Sequence, residues 1–153
     1  LPYNVGTPLL VKWLTGPFRP ASMTLMFQKE VADRIAAPAG SDDYGRLSVL
    51  AQASASAQVV MDLPARAFTP PPKVASAVVK LIPRPDAPAP DILANLEKVT
   101  GAAFGQRRKM LRSSLKALGG EALCQSIGLD PSVRAETVAV TDFIRLAEAV
   151  AAR

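Results

Sequence analysis

The sequence contains no histidine. A histidine-based triad, histidine metal ligands and an H-E-x-x-H zinc helix are therefore excluded. The one cysteine, Cys124, can build neither an internal disulfide nor a cysteine-cluster zinc site, which fits a reducing compartment. No apolar run approaches the roughly 20 residues of a membrane-spanning helix. The first residues lack the charged and apolar regions of a signal peptide. No internal repeat recurs at a fixed period. Acidic residues are missing from the stretch 107–116, which holds Arg107, Arg108, Lys109, Arg112 and Lys116. The formal net charge is +5, and outside this stretch basic and acidic residues balance at 13 each. The whole excess sits on one short segment and suggests an anionic partner.

What is present suffices for a packed core: 153 residues, 49% of them hydrophobic and 20% charged, enough for one ordinary domain or two small ones. Proline marks the internal boundary. Eight of the 14 prolines lie between Pro64 and Pro90, and the run from Pro83 to Pro90 reads as a stiff extended linker.

Ahead of the linker, helix and strand alternate. Thr7 can cap a helix with Pro8 at its first position and Leu9, Leu10, Trp13 and Leu14 on its apolar face. Met23 to Gln28 suits a buried strand. Lys29 to Ala37 turns helical, with Glu30 and Arg34 paired at i,i+4 and Pro38 ending it. Asp43 can cap a helix from Tyr44 to about Ala53. Gln58 to Leu63 and Val74 to Ile82 read as strands. The pattern predicts α/β layering. Beyond the linker, Asp91 can cap a helix bearing Ile92, Leu96, Val99 and Ala103, broken at Gly105. A basic helix is expected from Gln106 to Leu118, then short helices, and a final helix capped by Thr141. Four or so helices make a small bundle.

Three segments can carry chemistry. Leu1-Pro2-Tyr3-Asn4 reads as a strand end and turn, which in an α/β fold places Tyr3 at the carboxyl edge of the sheet, where ligands sit. Chemistry on an adenine amine needs a flat aromatic face and oxygen acceptors for the amine hydrogens, and a proline turn leaves its carbonyl free to accept. On the tetrapeptide alone, an ordinary turn with a buried tyrosine is the simpler account. Phe68, in the proline-stiffened loop from Pro64 to Lys73, can be held out as a second stacking wall, since base–aromatic stacking is worth about 1–3 kcal/mol. A core phenylalanine in that loop is again the simpler account. In the basic segment, Arg108, Arg112 and Lys116 would form one helical stripe beside Lys109, with Leu111, Leu115 and Leu118 opposite. A stripe with no neutralising acid favours nucleic-acid phosphate contact over a merely solvated face.

Together these segments resemble one family. Leu1-Pro2-Tyr3-Asn4 is similar to the tail of the N-L-P-Y motif of the KsgA/RsmA ribosomal RNA adenine dimethyltransferases. Leu25 to Ile35 (LMFQKEVADRI), Tyr44 to Gln52 (YGRLSVLAQ) and Phe68 to Val79 (FTPPPKVASAVV) resemble its later segments, as do Phe104 to Leu115 (FGQRRKMLRSSL) and Arg134 to Thr137 (RAET). The resemblance runs in order along nearly the whole chain. It outweighs the simpler accounts of Tyr3 and Phe68.

The resemblance implies an α/β fold. Residues 1–84 would be the C-terminal half of a Rossmann-like methyltransferase sheet, 85–90 the linker, and 91–153 a small all-α RNA-binding domain. It implies transfer of two methyl groups from S-adenosylmethionine to each of two adjacent adenines near the 3′ end of small-subunit ribosomal RNA. The immature small ribosomal subunit would be the partner and the location cytoplasmic, with no membrane. Tyr3 and Phe68 would sandwich the flipped adenine, and the Leu1 or Pro2 carbonyl would accept from its amine. Arg107, Arg108, Lys109, Arg112 and Lys116 would contact RNA, with Lys29, Arg34 and Lys73 as further contacts. The motif asparagine is expected just before Leu1, and no Gly-rich cofactor turn follows any strand here. The chain therefore reads as the later part of a longer enzyme, inactive alone, with no cofactor-binding residues of its own. Of the family sheet, ordered 3-2-1-4-5-7-6, it would hold strands 4, 5, 7 and 6. A bare strand 4 edge would invite self-association. Two alternatives are a non-catalytic ribosome-assembly role and a related large-subunit ribosomal RNA adenine methyltransferase. The match of Phe104 to Leu115 argues against the latter, and DNA adenine methyltransferases usually carry a P-P-Y form of the motif.

Overall fold

A computed structural model of the chain describes residues 3–17 and 20–153. Helix α1 (Tyr3–Thr15) leads into strand β1 (Met23–Gln28), helix α2 (Lys29–Ala36), helix α3 (Arg46–Ser54), strand β2 (Ala55–Leu63) and strand β3 (Ser76–Pro83). Then follow α4 (Pro90–Gly105), α5 (Leu111–Ser114), α6 (Gly120–Ser126) and α7 (Val140–Ala151). Single 3-10 turns lie at Ala65–Ala67, Lys116–Leu118 and Ala135–Thr137.

The strands form one sheet in the order β1-β3-β2, antiparallel throughout. Its register follows from burial. Met23, Leu25 and Phe27 of β1 lie opposite Leu81, Val79 and Ala77 of β3, so one apolar face turns toward α1, α2 and α3. On the other face Met61 and Ile82 remain exposed. A bulge between Val59 and Met61 interrupts β2. The fourth strand expected from the resemblance would fall at Leu1 and Pro2, outside the described residues.

Two apolar clusters share one helix. Leu10 and Leu14 of α1, Phe27, Ala32, Ile35, Val79 and Leu81 form the cluster on the sheet, which Ala51 of α3 joins. Val49, Leu50 and Ala53, from the other sides of α3, enter the second cluster with Leu93, Leu96 and Val99 of α4, Leu111, Leu123, and Phe143 and Leu146 of α7. Each fully buried leucine contributes about 1.5–3 kcal/mol. At the far end of the sheet, Arg84 donates its N–H to the Ser54 carbonyl (2.9 Å) and its Nε–H to that of Gln52 (2.9 Å). Gln52 in turn donates to the carbonyls of Ile35 (3.1 Å) and Ala37 (2.7 Å).

Several local expectations are corrected. Helix α1 begins at Tyr3, so Thr7 is not its cap and Pro8 lies inside it. Burial of Leu10 and Leu14, one turn apart, outweighs the proline's local cost of about 3 kcal/mol. Helix α3 starts at Arg46 behind Gly45 rather than behind Asp43; the Gly45 N–H donates to Ser48 Oγ (3.1 Å). Helix α4 takes Pro90 at its first position behind Ala89, with Asp91 in its first turn. Ala139 rather than Thr141 precedes α7.

The largest correction concerns residues 106–118, which form no continuous helix. After α4 the chain turns at 106–109, then Met110 becomes extended (φ −65°, ψ 152°) and bridges antiparallel to Arg134. The N–H of Leu111 goes to the Val133 carbonyl (2.8 Å) and that of Arg112 to Pro131 (3.0 Å). A partner segment some twenty residues later takes these donors away from a helix, and only four residues, α5, remain helical.

Candidate nucleic-acid interface

The cations gather in two places. The first is the turn after α4. Arg107, Arg108 and Lys109 follow directly on the last turn of a long helix, where the partial negative charge of its carbonyls favours them. Arg108, Lys109, Arg112 and Lys116 are exposed, and none forms an ion pair among the described residues. The bridge from Met110 sets Arg134, also exposed, beside them. Sequence periodicity missed Arg134; its place within the R-A-E-T segment was the available signal. The helical stripe of Arg108, Arg112 and Lys116 does not exist. These residues stand on a turn, on α5 and on a 3-10 turn, yet all remain on the surface while Leu111 and Leu115 are buried.

Arg107 is different. Its guanidinium donates to the Tyr44 carbonyl (2.9 Å) and lies over the Phe104 ring at 5.8 Å. Phe104 meets Tyr44 edge-on at 5.9 Å and Phe143 at 5.5 Å. The fully buried Tyr44 hydroxyl donates to the Val138 carbonyl at 2.7 Å. Arg107 thus ties the basic turn to the loop ahead of α3.

The second place is the end of the sheet where β1 and β2 finish. Lys29 opens α2 there, its ammonium between Asp62 (3.3 Å) and Asp33 (3.4 Å). The hydrogen bond to Asp62, then Asp33, raises its pKa above the ordinary lysine value. Lys73 is exposed and has no ion pair among the described residues. Phe68 stands half-buried just past the 3-10 turn that leaves β2, with its N–H on the Ala65 carbonyl (3.3 Å). The Thr69–Pro70 bond beyond it is cis. Arg34, also on α2, pairs with Glu30 at 2.6 Å. Tyr3 heads α1, while Leu1 and Pro2 lie outside the described residues. Among the described residues no three metal-ligating side chains cluster, and no helix is long and apolar enough to cross a membrane.

This arrangement can hold a polyanion along an exposed cationic turn, with an aromatic ring at the sheet end. The sequence profile for ribosomal RNA adenine dimethylase matches residues 1–152. The chain is 71% identical over 153 residues to ribosomal RNA small subunit methyltransferase A of Phenylobacterium zucineum, covering 100% of this chain and 54% of that one. It is 66% identical over 149 residues to the protein of the same name from Caulobacter vibrioides, covering 97% of this chain and 58% of that one. The chain thus spans little more than half the length of these relatives. Among solved structures, a dimethyladenosine transferase from Plasmodium falciparum has the same fold, with a TM-score of 0.76 at 24% identity over 95% of this chain and 62% of that one. The 23S rRNA methyltransferase ErmE is also similar in fold, with a TM-score of 0.66 at 22% identity over 99% of this chain and 63% of that one.

Proposed function

Since this chain belongs to the ribosomal RNA adenine dimethylase family, we propose that it is the RNA-holding part of an enzyme that dimethylates adenine 6-amino groups in small-subunit ribosomal RNA. The observation that carries the reading is the exposed cation group of Arg108, Lys109, Arg112 and Lys116, none of them ion-paired among the described residues, extended by Arg134. These side chains bind phosphates of the immature small subunit's RNA, a sequence-independent term that fixes register and orientation. Arg107, held by the Tyr44 carbonyl, sets the pose of the turn. Lys73 adds a contact at the sheet end. Lys29 and Arg34 contribute less, because acids already face them.

The target adenine is unstacked from its strand and held between Tyr3 and Phe68, with the Leu1 or Pro2 carbonyl accepting from its amine. The methyl donor of such an enzyme is S-adenosylmethionine. The described residues do not fit it: their one direct strand-to-helix junction, Gln28–Lys29, has no glycine to let a backbone approach the cofactor. The chain's own part is to bind and orient RNA, in the cytoplasm.

Filter binding to small-subunit ribosomal RNA tests this. The Arg108→Glu, Arg112→Glu double variant should bind at least tenfold more weakly. Its slope of log affinity against log salt should also flatten by about 1.4–1.8, the value for two lost phosphate contacts. Unchanged affinity and slope would make the turn a solvated surface and overturn the reading.

A further inference from the structure

A cleft of about 410 Å³ lies between the α/β layer and the basic turn, with Arg107 on its wall. Its size is in the range of small-ligand sites. Arg34 and Arg46 form one part of its wall, Asp42 and Asp43 another, with apolar surface from Leu47 and Phe104. Thr7 also lines it, one helical turn beyond Tyr3. Four residues along α1 are about 6 Å, so the cleft opens within one nucleotide's reach of the Tyr3 backbone.

The charges are the informative feature. Asp43 lies two residues ahead of the Gly45 cap, and Gly45 and Ser48 close that end of α3 without its carboxylate. The carboxylates of Asp42 and Asp43 are exposed and have no hydrogen-bond or ion-pair partner among the described residues. Arg46 holds Glu97 only loosely, at 3.6 Å, and Arg34 holds Glu30 at 2.6 Å. A guanidinium carries five N–H donors, so both keep donors to offer. A cleft with free acceptors and free cationic donors does not suit a simple anion, which the aspartates repel. It suits a group that presents a hydroxyl donor and a phosphate together.

Resting on the function proposed above, we infer that this cleft holds the ribonucleotide next to the target adenine. Its phosphate lies on Arg46, whose hold on Glu97 is the looser of the two, and its 2′-hydroxyl donates to Asp42 or Asp43. The 2′-hydroxyl is what distinguishes RNA from DNA at a given site. The two aspartates thus make the enzyme prefer a ribose strand, a task the cations cannot perform because they bind either backbone.

The test is fluorescence anisotropy of this chain with a labelled single-stranded RNA and the DNA of the same sequence. Wild type should prefer RNA. The Asp42→Ala, Asp43→Ala variant loses two negative charges, so its affinity for both strands should hold or rise. Its RNA-over-DNA ratio should fall about fivefold or more, the effect of one lost hydrogen bond. Both side chains are exposed and unbonded among the described residues, so an unchanged thermal midpoint will confirm folding. Arg46→Gln should weaken both strands and flatten the salt slope by about 0.7, the single-strand value for one phosphate. An unchanged ratio in the aspartate variant overturns the inference, even where Arg108→Glu, Arg112→Glu abolishes binding. Wild type binding no RNA at all overturns the function proposed above instead. Adenosine monophosphate competing as well as an RNA strand of equal concentration would assign the cleft to free nucleotides and overturn its role on the strand.

Discussion

Tyr44 joins three parts of the molecule. Its ring packs edge-on against Phe104, its hydroxyl donates to Val138 and its carbonyl receives Arg107. Burial raises the pKa of its phenol well above the tyrosine value of 10.0. A group whose proton is held more tightly in the folded state supports folding fully below its unfolded pKa, and that support is lost as pH rises beyond it. Stability should therefore fall steeply above about pH 10, the pKa of an unfolded tyrosine. Denaturant melts between pH 8 and 11 on wild type and Tyr44→Phe should show a shallower fall in the variant. At neutral pH the same variant should lose about 1–2 kcal/mol, because the buried Val138 carbonyl is left without its donor. Equal pH slopes for the two proteins would dismiss Tyr44 as the alkaline trigger.

The elements differ in how they can be substituted and in how far they could be foreseen. Gly119 ends the 3-10 turn with φ 127°, and a Cβ there would meet the Arg153 guanidinium at 2.6 Å. Gly119→Ala should cost about 1–3 kcal/mol, read as a lowered urea midpoint with unchanged m. Gly105→Ala, at an open position of ordinary backbone on α4, should cost nothing or stabilise slightly. Strand β1, helix α2 and the Glu30–Arg34 pair were legible because their determinants are local: alternating apolar side chains, a 3.6-residue period and Pro38 as a stop. The expected helix across 106–118 failed because its period was right and its hydrogen-bond partners were not local. Leu111 and Leu115 are buried as the pattern required, yet the 131–134 segment claims the backbone donors that a helix would use. The site was legible in the same measure. The count of unpaired cations came from composition, but the closeness of Arg134 and the free carboxylates of Asp42 and Asp43 exist only after folding.

In the molecule as a whole, α3 is the common wall of both apolar clusters. Neither cluster closes without it, so the chain should unfold in one step. Trp13, the only tryptophan, packs against the sheet-side cluster and reports on that side, while ellipticity follows the helices on both. The two signals should trace the same curve in denaturant. Leu50→Ala should shift both together by about 2–5 kcal/mol. Two separated transitions would refute the shared core. The proline-rich segment from Arg84 to Pro90 thus keeps the two parts in one chain without being what holds them together. A protease that nicks it frees no domain: Leu50 stays seated among Leu93, Leu96 and Phe143, and the two pieces remain a non-covalent pair, a natural split point from which the protein can be rebuilt.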